Sequence, residues 1–310
     1  MLLHLVHETR YAYSPTVESA HHVLHLKPAS HPGQALLSHT LTISPQPVTL
    51  RDLADVYGNT RTFFSLHTPH DQLTVVAESM VSTLALPEKP TAGLPWEQVR
   101  EQFRYQAGGA YDSTCEFVFA SPYVPRDEAF AEFARPSFTP GRPLPEAAQH
   151  LMERIHTEMA YESDSTEVGT PALEALQLRK GVCQDFAHIM VACCRSMGVP
   201  ARYVSGYLLT NPAPGQPRLI GSDASHAWAS VYCPIASDAG GMRLADGQNA
   251  GVWLDFDPTN NRAPGEDYVT LATGRDFLDV SPMRGVIRGG ARHVLDVAVT
   301  VTPIDPEQLL

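Results

Sequence analysis

Apolar and polar residues alternate along the first quarter of the chain, in short runs separated by turn residues. The runs are LHLVHETRYAY, HHVLHLKP, LLSHTLTISP, TRTFFSLH and QLTVVAESMVSTLAL, with Pro, Gly or Asp between them. A period of two places successive side chains on opposite faces of a strand, so the pattern predicts antiparallel strands. We therefore predict an N-terminal β-rich domain at residues 1–86.

A segment rich in proline follows these strands. Its sequence, PEKPTAGLP at residues 87–95, contains three prolines and a glycine, which is typical of a linker. We place the domain boundary there, and residues 96–310 are predicted to form a second domain.

Helical spacing replaces the alternation beyond this linker. Apolar residues recur at intervals of three and four, and Gly198 and Pro200 give the last helix a clear C-terminal stop. The predicted helices are Trp96–Tyr105, Pro125–Ala134, Leu144–Met159, Pro171–Leu178 and Cys183–Met197.

Strand patterns return after the last helix, in ARYVSGYLL, HAWASVYC, GVWLDFD, YVTLA and HVLDVAVTVTP. Helices followed by consecutive strands indicate an α+β fold rather than alternating βαβ units. The stretch DAGGMRLADGQNAG, residues 238–251, is predicted to be a long hairpin loop.

The composition limits the classes of partner. The chain has 310 residues and a formal net charge of −12 with no basic block, which argues against nucleic acid and anionic membrane as partners. The N-terminal residues show no basic leader followed by an apolar run, and no segment approaches the length of a membrane span. We expect a soluble, cytoplasmic protein; the sequence does not indicate its oligomeric state.

Neither the cysteines nor the histidines predict a metal site. The five cysteines are odd in number and form no CxxC pair, which argues against a disulfide framework and structural zinc. Histidines are frequent in the N-terminal region, but a cluster would require an unknown strand register, and no calcium-binding loop is present. We expect no metal or organic cofactor. These histidines are His4, His7, His21, His22, His25, His31, His39, His67 and His70.

The segment RKGVCQDFAHIM, residues 179–190, places Cys183 at the start of a predicted helix. Unpaired backbone N–H groups and the positive end of the helix dipole stabilise an anion there, and the thiolate is the reactive form of cysteine. Gly181 permits a tight entry into the helix. Cys183 is therefore a candidate nucleophile, and Asp185 in the first turn is interpreted as a capping carboxylate.

A nucleophilic cysteine needs a base, and the base needs an acceptor that orients it. His226 begins the strand HAWASVYC, and Asp257 ends the strand GVWLDFD before a Pro-Thr-Asn turn. Adjacent antiparallel strands would bring these two residues side by side. Asp255 lies two residues earlier on the same strand face and stays an alternative to Asp257.

Several residues near these candidates have a structural interpretation. Cys193 and Cys194 lie deep in the apolar helix and are expected to be buried packing thiols. His188 lies about 140° around the helix from Cys183, so we interpret it as structural. For Trp228 and Tyr232, core packing is favoured over substrate stacking.

Five motifs occur in order between residues 169 and 282: GVCQDFAHIM, GVPARYVSGYL, ASHAWASVY, WLDFDPTNN and ATGRDFLDVSP. Together they resemble the bacterial transglutaminase-like superfamily, and the N-terminal β-rich region resembles the domain that precedes the core in many bacterial members. The resemblance implies a papain-like core, in which a helix packs on an antiparallel sheet. It also implies a catalytic triad of Cys183 as nucleophile, His226 as general base and acid, and Asp257 as the residue that orients His226.

The resemblance implies further that the backbone N–H of Cys183 contacts the oxyanion. Gln184 and Tyr161 are open candidates for the second donor. The sequence departs from the family pattern at residues 233–251, where a longer loop separates the strand of His226 from that of Asp257. This loop leaves the substrate class open.

The function expected from these residues is thiol-dependent acyl chemistry on a peptide, protein or small amide. Hydrolysis, as in a cysteine peptidase or amidase, is preferred; transfer to an amine, as in a transglutaminase, is the alternative. A binding or scaffold protein with a vestigial triad is a competing hypothesis. A thiol redox enzyme ranks last, because no cysteine close in sequence could resolve an oxidised Cys183.

Overall fold

The computed structural model describes residues 1–85, 93–105, 107, 112–163, 165–210, 224–237, 240–241, 250–290 and 292–305. The alternating N-terminal runs form antiparallel strands, as predicted, but the first two runs are continuous in one strand, and the strand Thr49–Ala54 was not predicted. Buried residues recur at every second position of the first strand over residues 3–9. The strands are β1 (Leu2–Leu24), β2 (Gln34–Ser44), β3 (Thr49–Ala54), β4 (Thr60–Leu66) and β5 (His70–Thr83).

The five predicted helices of the second half lie close to their predicted positions. A 3₁₀ helix at Ser113–Val118 and a short α-helix at Phe277–Val280 were not predicted. Within the described part of the chain, no helix is both long enough and apolar enough to cross a bilayer. The α-helices are α1 (Trp96–Gln102), α2 (Glu128–Ala134), α3 (Leu144–Glu158), α4 (Ala172–Leu178), α5 (Cys183–Ser196) and α6 (Phe277–Val280).

The strands of the second half form a four-stranded antiparallel sheet in the order β12-β9-β8-β13. Two short pairs, β6 with β7 and β10 with β11, lie outside it. These strands are β6 (Ala160–Tyr161), β7 (Lys180–Gly181), β8 (Ala201–Leu208), β9 (Ala224–Pro234), β10 (Ala236–Ser237), β11 (Gly240–Gly241), β12 (Gly251–Phe256) and β13 (Tyr268–Gly274).

Helix α5 lies at the centre of the second half. Every residue from Asp185 to Arg195 is buried, because the sheet covers one side of α5 and helices α2, α3 and α4 cover the other. Gly198 has φ +80°, a conformation that glycine adopts without strain, and it ends the helix as predicted. The prediction of an α+β fold with a helix packed on an antiparallel sheet is confirmed.

The last two strands, β14 (Met283–Gly289) and β15 (Arg292–Pro303), pair with β1 rather than with the four-stranded sheet. Strand β1 is long enough to hold β15 along its first half and β14 along its second half. The predicted second domain at 96–310 therefore supplies two strands to the N-terminal sheet, a pairing that alternation alone cannot reveal. Strand β14 was not predicted, since MRGVIRG is mostly exposed and does not alternate.

The boundaries at 1–86 and 96–310 stay a prediction. Most of the predicted linker at 87–95 lies outside the described residues, as does most of the predicted hairpin loop at 238–251. Residues on both sides of these gaps are described, and they hold every candidate site residue.

Candidate active site

The start of α5 is fixed by a buried carboxylate. Oδ2 of Asp185 accepts the backbone N–H of Val182 at 2.8 Å and the hydroxyl of Thr166 at 2.6 Å. Asp185 is therefore the capping residue that the sequence predicted. A Cβ on Gly181 would lie 2.6 Å from that same Oδ2, so glycine is needed there to make room for Asp185. Thus Gly181 admits the cap, a role that sequence reasoning did not assign to it.

Cys183 is the first residue of α5 and is partly exposed. Its side chain packs beside a buried cluster that includes Ala187 of the same helix, Tyr203 of β8 and Ala227 of β9. As a first-turn residue, its backbone N–H has no acceptor within the helix. The thiol therefore sits at the positive end of the α5 dipole, on the side of the helix that meets the sheet.

The structure brings His226 and Asp257 together with Cys183. His226 lies near the start of β9, opposite Gly206 of β8, and its side chain interacts with that of Cys183. Nε2 of His226 lies 2.7 Å from Oδ2 of Asp257, which leaves Nδ1 as the ring nitrogen for the thiol. The chain thus places a thiol, an imidazole and a carboxylate in one interacting series, in which the imidazole and the carboxylate are hydrogen-bonded.

Asp257 is fully buried and is surrounded by donors. Its Oδ2 accepts the hydroxyl of Tyr268 at 2.6 Å and the amide of Asn260 at 2.7 Å, and its Oδ1 accepts the backbone N–H of Thr259 at 2.9 Å. Burial opposes ionisation, yet the bonds from His226, Asn260 and Tyr268 hold the pKa of Asp257 below its usual value. The carboxylate therefore stays ionised and fixed in position.

The same network sets the charge of His226. Burial disfavours the imidazolium, but the hydrogen bonds to Asp257 and Cys183, and the negative charge of both partners, raise the pKa of His226 to about 9. Beneath the imidazole lies the fully buried Trp228, whose indole occupies the space over Gly206. At neutral pH the site therefore holds an imidazolium between two acidic groups.

Of the two aspartates that the sequence left open, the structure places Asp257 against His226. Asp255 lies opposite Ser230 in the sheet, and within the described residues its side chain makes no hydrogen bond to the histidine. The turn after β12 explains the difference. In this turn the backbones of Asp257 and Arg262 pair in an isolated bridge, and the carboxylate of Asp257 accepts the backbone N–H groups of Thr259 and Asn260.

The structural interpretations of the neighbouring residues are confirmed. His188 is buried, accepts the backbone N–H of Phe277 at 3.2 Å, and has its pKa lowered to about 3 by burial and by Arg195. Cys193 and Cys194 are buried, and burial raises the pKa of Cys194 to about 12. Trp228 and Tyr232 are core residues.

Sequence reasoning missed the residues that support Asp257. Asn260 lies within WLDFDPTNN, and its place three residues after the carboxylate in a turn was a usable signal. Tyr268 opens β13, and only the register of β13 against β8 brings its hydroxyl to Asp257. Thr166 is distant in sequence and carried no signal. Among the described residues, no group of three His, Cys, Asp or Glu side chains is arranged to hold a metal ion.

Comparisons with known proteins match both halves of the chain. Residues 3–82 match the bacterial transglutaminase-like N-terminal region, and residues 131–258 match the transglutaminase-like superfamily core. An uncharacterized protein of Mycobacterium tuberculosis is 38% identical over 316 residues, which cover 98% of this chain and 94% of that relative. A protein of Mycobacterium leprae is 29% identical over 97% of this chain and 98% of its own length.

Two further comparisons are with proteins whose names state a type of enzyme. A solved structure described as a candidate cysteine protease of Cytophaga hutchinsonii has the same fold, with a TM-score of 0.72 and 20% identity over 98% of this chain and 91% of that one. A protein-glutamine gamma-glutamyltransferase of Pseudomonas aeruginosa is 30% identical over 145 residues, which are 45% of this chain and 19% of that enzyme. The chain belongs to the transglutaminase-like superfamily, and it joins that core to the N-terminal region of the bacterial members.

Proposed function

We propose that this protein is a cysteine-dependent enzyme that hydrolyses amide bonds in a peptide, a protein or a small amide. One observation carries the proposal: Cys183, at the first turn of α5, interacts with His226, which is hydrogen-bonded to the buried Asp257. Nucleophile, base and orienting acceptor in this order can activate a thiol for attack on a carbonyl.

In the proposed reaction, Sγ of Cys183 attacks the carbonyl carbon; a C–S bond forms, and the carbonyl π electrons move to oxygen. The imidazolium of His226 gives its proton to the leaving nitrogen as the C–N bond breaks, and a thioester remains. Water then attacks the thioester and gives a proton to His226. The C–S bond breaks, the acid product leaves, and the thiolate and imidazolium are restored.

The oxyanion of each tetrahedral intermediate would accept the backbone N–H of Cys183. For the second donor we favour the hydroxyl of Tyr161 over Gln184. Burial and then the charge of Cys183 raise the pKa of Tyr161, so the two groups are close, whereas the amide of Gln184 donates to the carbonyl of Val168 at 2.9 Å. Tyr161 lies in β6, which pairs with the β7 residue Gly181 just before the nucleophile.

Transfer to an amine is the second candidate. The relationship to the gamma-glutamyltransferase of Pseudomonas aeruginosa favours it, since that relative shares sequence with 45% of this chain. The same thioester would then react with a primary amine instead of water, and a new amide would form. We keep hydrolysis as the first proposal, together with the predicted cytoplasmic location and the exclusion of nucleic acid and membrane as partners.

The first experiment tests whether Cys183 is an activated thiol. Iodoacetamide labelling of the native protein at slightly acidic pH, followed by peptide mass mapping, should modify Cys183 fastest. The matched variants are Cys183→Ser and Cys115→Ser, because Cys115 is also partly exposed but burial raises its pKa. If Cys183→Ser labels as fast as the parent, the proposal loses its basis and the vestigial hypothesis replaces it.

The second experiment separates the two acyl acceptors. The protein is incubated with peptide and small-amide libraries, with and without methylamine, and intact mass and product mass are recorded. Hydrolysis predicts acid products that methylamine does not alter, whereas transfer predicts methylamide products. Both should disappear in Cys183→Ser and persist in Cys115→Ser.

A further inference from the structure

A cleft that is separate from the candidate triad lies on the face of the four-stranded sheet opposite α5. Its volume is about 950 Å³, and neither Cys183 nor His226 lines it. Sheet residues form its floor, and residues 29–33 and 57–59 of the N-terminal region form its wall. The wall is fixed, because the Asn59 amide donates to the carbonyl of Thr273 at 2.7 Å and the Gln34 amide to that of Thr270 at 2.8 Å.

A row of three polar residues crosses the sheet on this face. Arg202 of β8 is paired with Ser230 of β9, and Ser230 is paired with Asp255 of β12. Paired residues point to the same side, so the row runs from a cation through a hydroxyl to an anion. With neighbouring strands about 5 Å apart, the backbones of Arg202 and Asp255 are about 10 Å apart.

The polar atoms of this row lack partners. Nε of Arg202 and Oγ of Ser230 are buried without a hydrogen bond, as is Nε1 of the adjacent Trp228. Within the described residues, the side chains of Arg202 and Asp255 make no hydrogen bond and no ion pair with each other. Ser230 and Trp228 are fully buried and do not line the cleft, whereas Arg202 does. Because buried polar atoms in folded proteins nearly always have partners, the unpartnered guanidinium of Arg202 indicates a ligand that occupies the cleft.

The guanidinium of Arg202 is held in place by an aromatic ring. It lies 4.2 Å from the ring centroid of Trp253, a residue of the cleft. Burial lowers the pKa of Arg202 to about 10, an effect that the charge of Asp255 opposes, so the side chain stays cationic at neutral pH. The result is a pre-positioned cation with free donors, a geometry suited to a carboxylate.

The other titratable groups of the cleft are already engaged. Glu266 pairs with the amino group of Met1 at 2.8 Å, and the hydroxyl of Tyr57 donates to Glu116 at 2.8 Å. Nδ1 of His31 accepts the N–H of Gly33 at 3.2 Å, and burial lowers the pKa of this histidine. Arg202 and Asp255 are therefore the two charges available to a ligand in the described part of the cleft.

We propose that this cleft binds a small zwitterion, an amino acid or short peptide, with its carboxylate against Arg202 and its ammonium group against Asp255. The site is separate from the thiol of Cys183 and does not depend on the proposed function. The chain connects it to the candidate triad, because Asp255 of β12 lies two residues before Asp257, which begins the turn after this strand. Residues 263–265 also line the cleft.

Isothermal titration with three probes tests the proposal: glycylglycine, N-acetylglycine, which lacks the ammonium, and glycinamide, which lacks the carboxylate. Glycylglycine should bind most tightly. Arg202→Met should weaken glycylglycine binding by about tenfold or more, since charge-assisted hydrogen bonds are lost. Asp255→Asn should remove the advantage of glycylglycine over N-acetylglycine. The matched control is Arg100→Met, because Arg100 also lies over a tryptophan, Trp96, but outside the cleft.

A measurement on the unaltered protein covers the case in which Arg202→Met does not fold. Glycylglycine should protect Arg202, but not Arg100, from modification by phenylglyoxal. Absence of binding by glycylglycine, equal binding by Arg202→Met, or no preference for the zwitterion would each overturn the proposal. Cys183→Ser should bind glycylglycine as the parent does; loss of binding there would place the ligand at the candidate triad instead and also overturn it.

Discussion

The hydroxyl of Tyr268 donates to Asp257 at 2.6 Å, and it shares the carboxylate oxygen that contacts His226. Tyr268→Phe keeps the ring that packs against Trp228 and removes this bond, together with the longer bond of 3.5 Å that the Asn260 amide donates to the same hydroxyl. We expect the free energy of unfolding to fall by about 1.5–3 kcal/mol, the range for hydrogen bonds to charged groups. Urea denaturation at neutral pH measures the change.

The pH dependence of that loss has a defined sign. The pKa of Asp257 is lower in the folded protein than in the unfolded chain. The ionised carboxylate therefore stabilises the fold at any pH above the unfolded-state pKa, and this stabilisation is lost as the pH falls through the folded-state pKa. Without the hydrogen bond from Tyr268, the loss of stability on acidification should begin at a higher pH. The control is Tyr207→Phe, which removes a buried bond to His7 at 2.8 Å and should leave the acid midpoint of Asp257 unchanged. An acid transition that does not move in Tyr268→Phe contradicts the prediction.

Asp257→Asn should slow the alkylation of Cys183 at neutral pH by about tenfold or more. The loss of the carboxylate lowers the pKa of His226, and each pKa unit of ion-pair stabilisation corresponds to a factor of about ten. Asp276→Asn is the matched control, because Asp276 is equally buried but caps α6 through the N–H of Leu278 at 2.9 Å. Equal slowing in both variants would indicate a general loss of structure.

His226 should titrate near pH 9 in the parent protein, since its pKa is raised to about 9. Its contribution to stability is complete below its unfolded value of about 6.5 and is lost as the pH rises through 9. Cys183→Ala removes one hydrogen bond and one charge that raise the pKa, so the midpoint should move to lower pH. NMR of the labelled ring carbons measures it.

His188 is the internal reference for that titration, because its pKa is lowered to about 3 and its resonance should not move near neutral pH. An unchanged His226 midpoint in Cys183→Ala would mean that the thiol and the imidazole are not coupled in solution.

Gly181→Ala should destabilise the protein and displace the start of α5. The new Cβ would lie 2.6 Å from Oδ2 of Asp185, and overpacking of this kind costs about 1–3 kcal/mol. Gly169→Ala is the control, since a Cβ there meets nothing within 4 Å. Thermal unfolding and the labelling rate of Cys183 check the pair; equal melting temperatures in the two variants would contradict the role assigned to Gly181.

Much of this arrangement could be predicted from local patterns. Alternation located β1, β2, β4 and β5, although it divided β1 into two runs and missed β3. Three-and-four spacing located α1, α2 and α3, and a strongly apolar run with a stop at Gly198 located α5. Cys183, His226 and Asp257 were found because each stands in a motif at the end of an element. Each of these patterns reports the periodicity of a single helix or strand.

Contacts between distant elements could not be predicted in the same way. The bond from Tyr268 to Asp257 and the row of Arg202, Ser230 and Asp255 depend on strand register, which a sequence with exposed or mixed strands does not specify. The pairing of β14 and β15 with β1 depends on which edges of β1 are free. The role of Gly181 could be recognised only once the position of Asp185 was known.

The pairing of β1 with β15 has a mechanical consequence. Leu3 lies opposite Pro303, so the two ends of the described chain leave the sheet side by side. A force applied between these two ends would separate β1 and β15 from one end of the pair, so their hydrogen bonds would break one after another. The helix that carries Cys183 would bear no load until those two strands had parted.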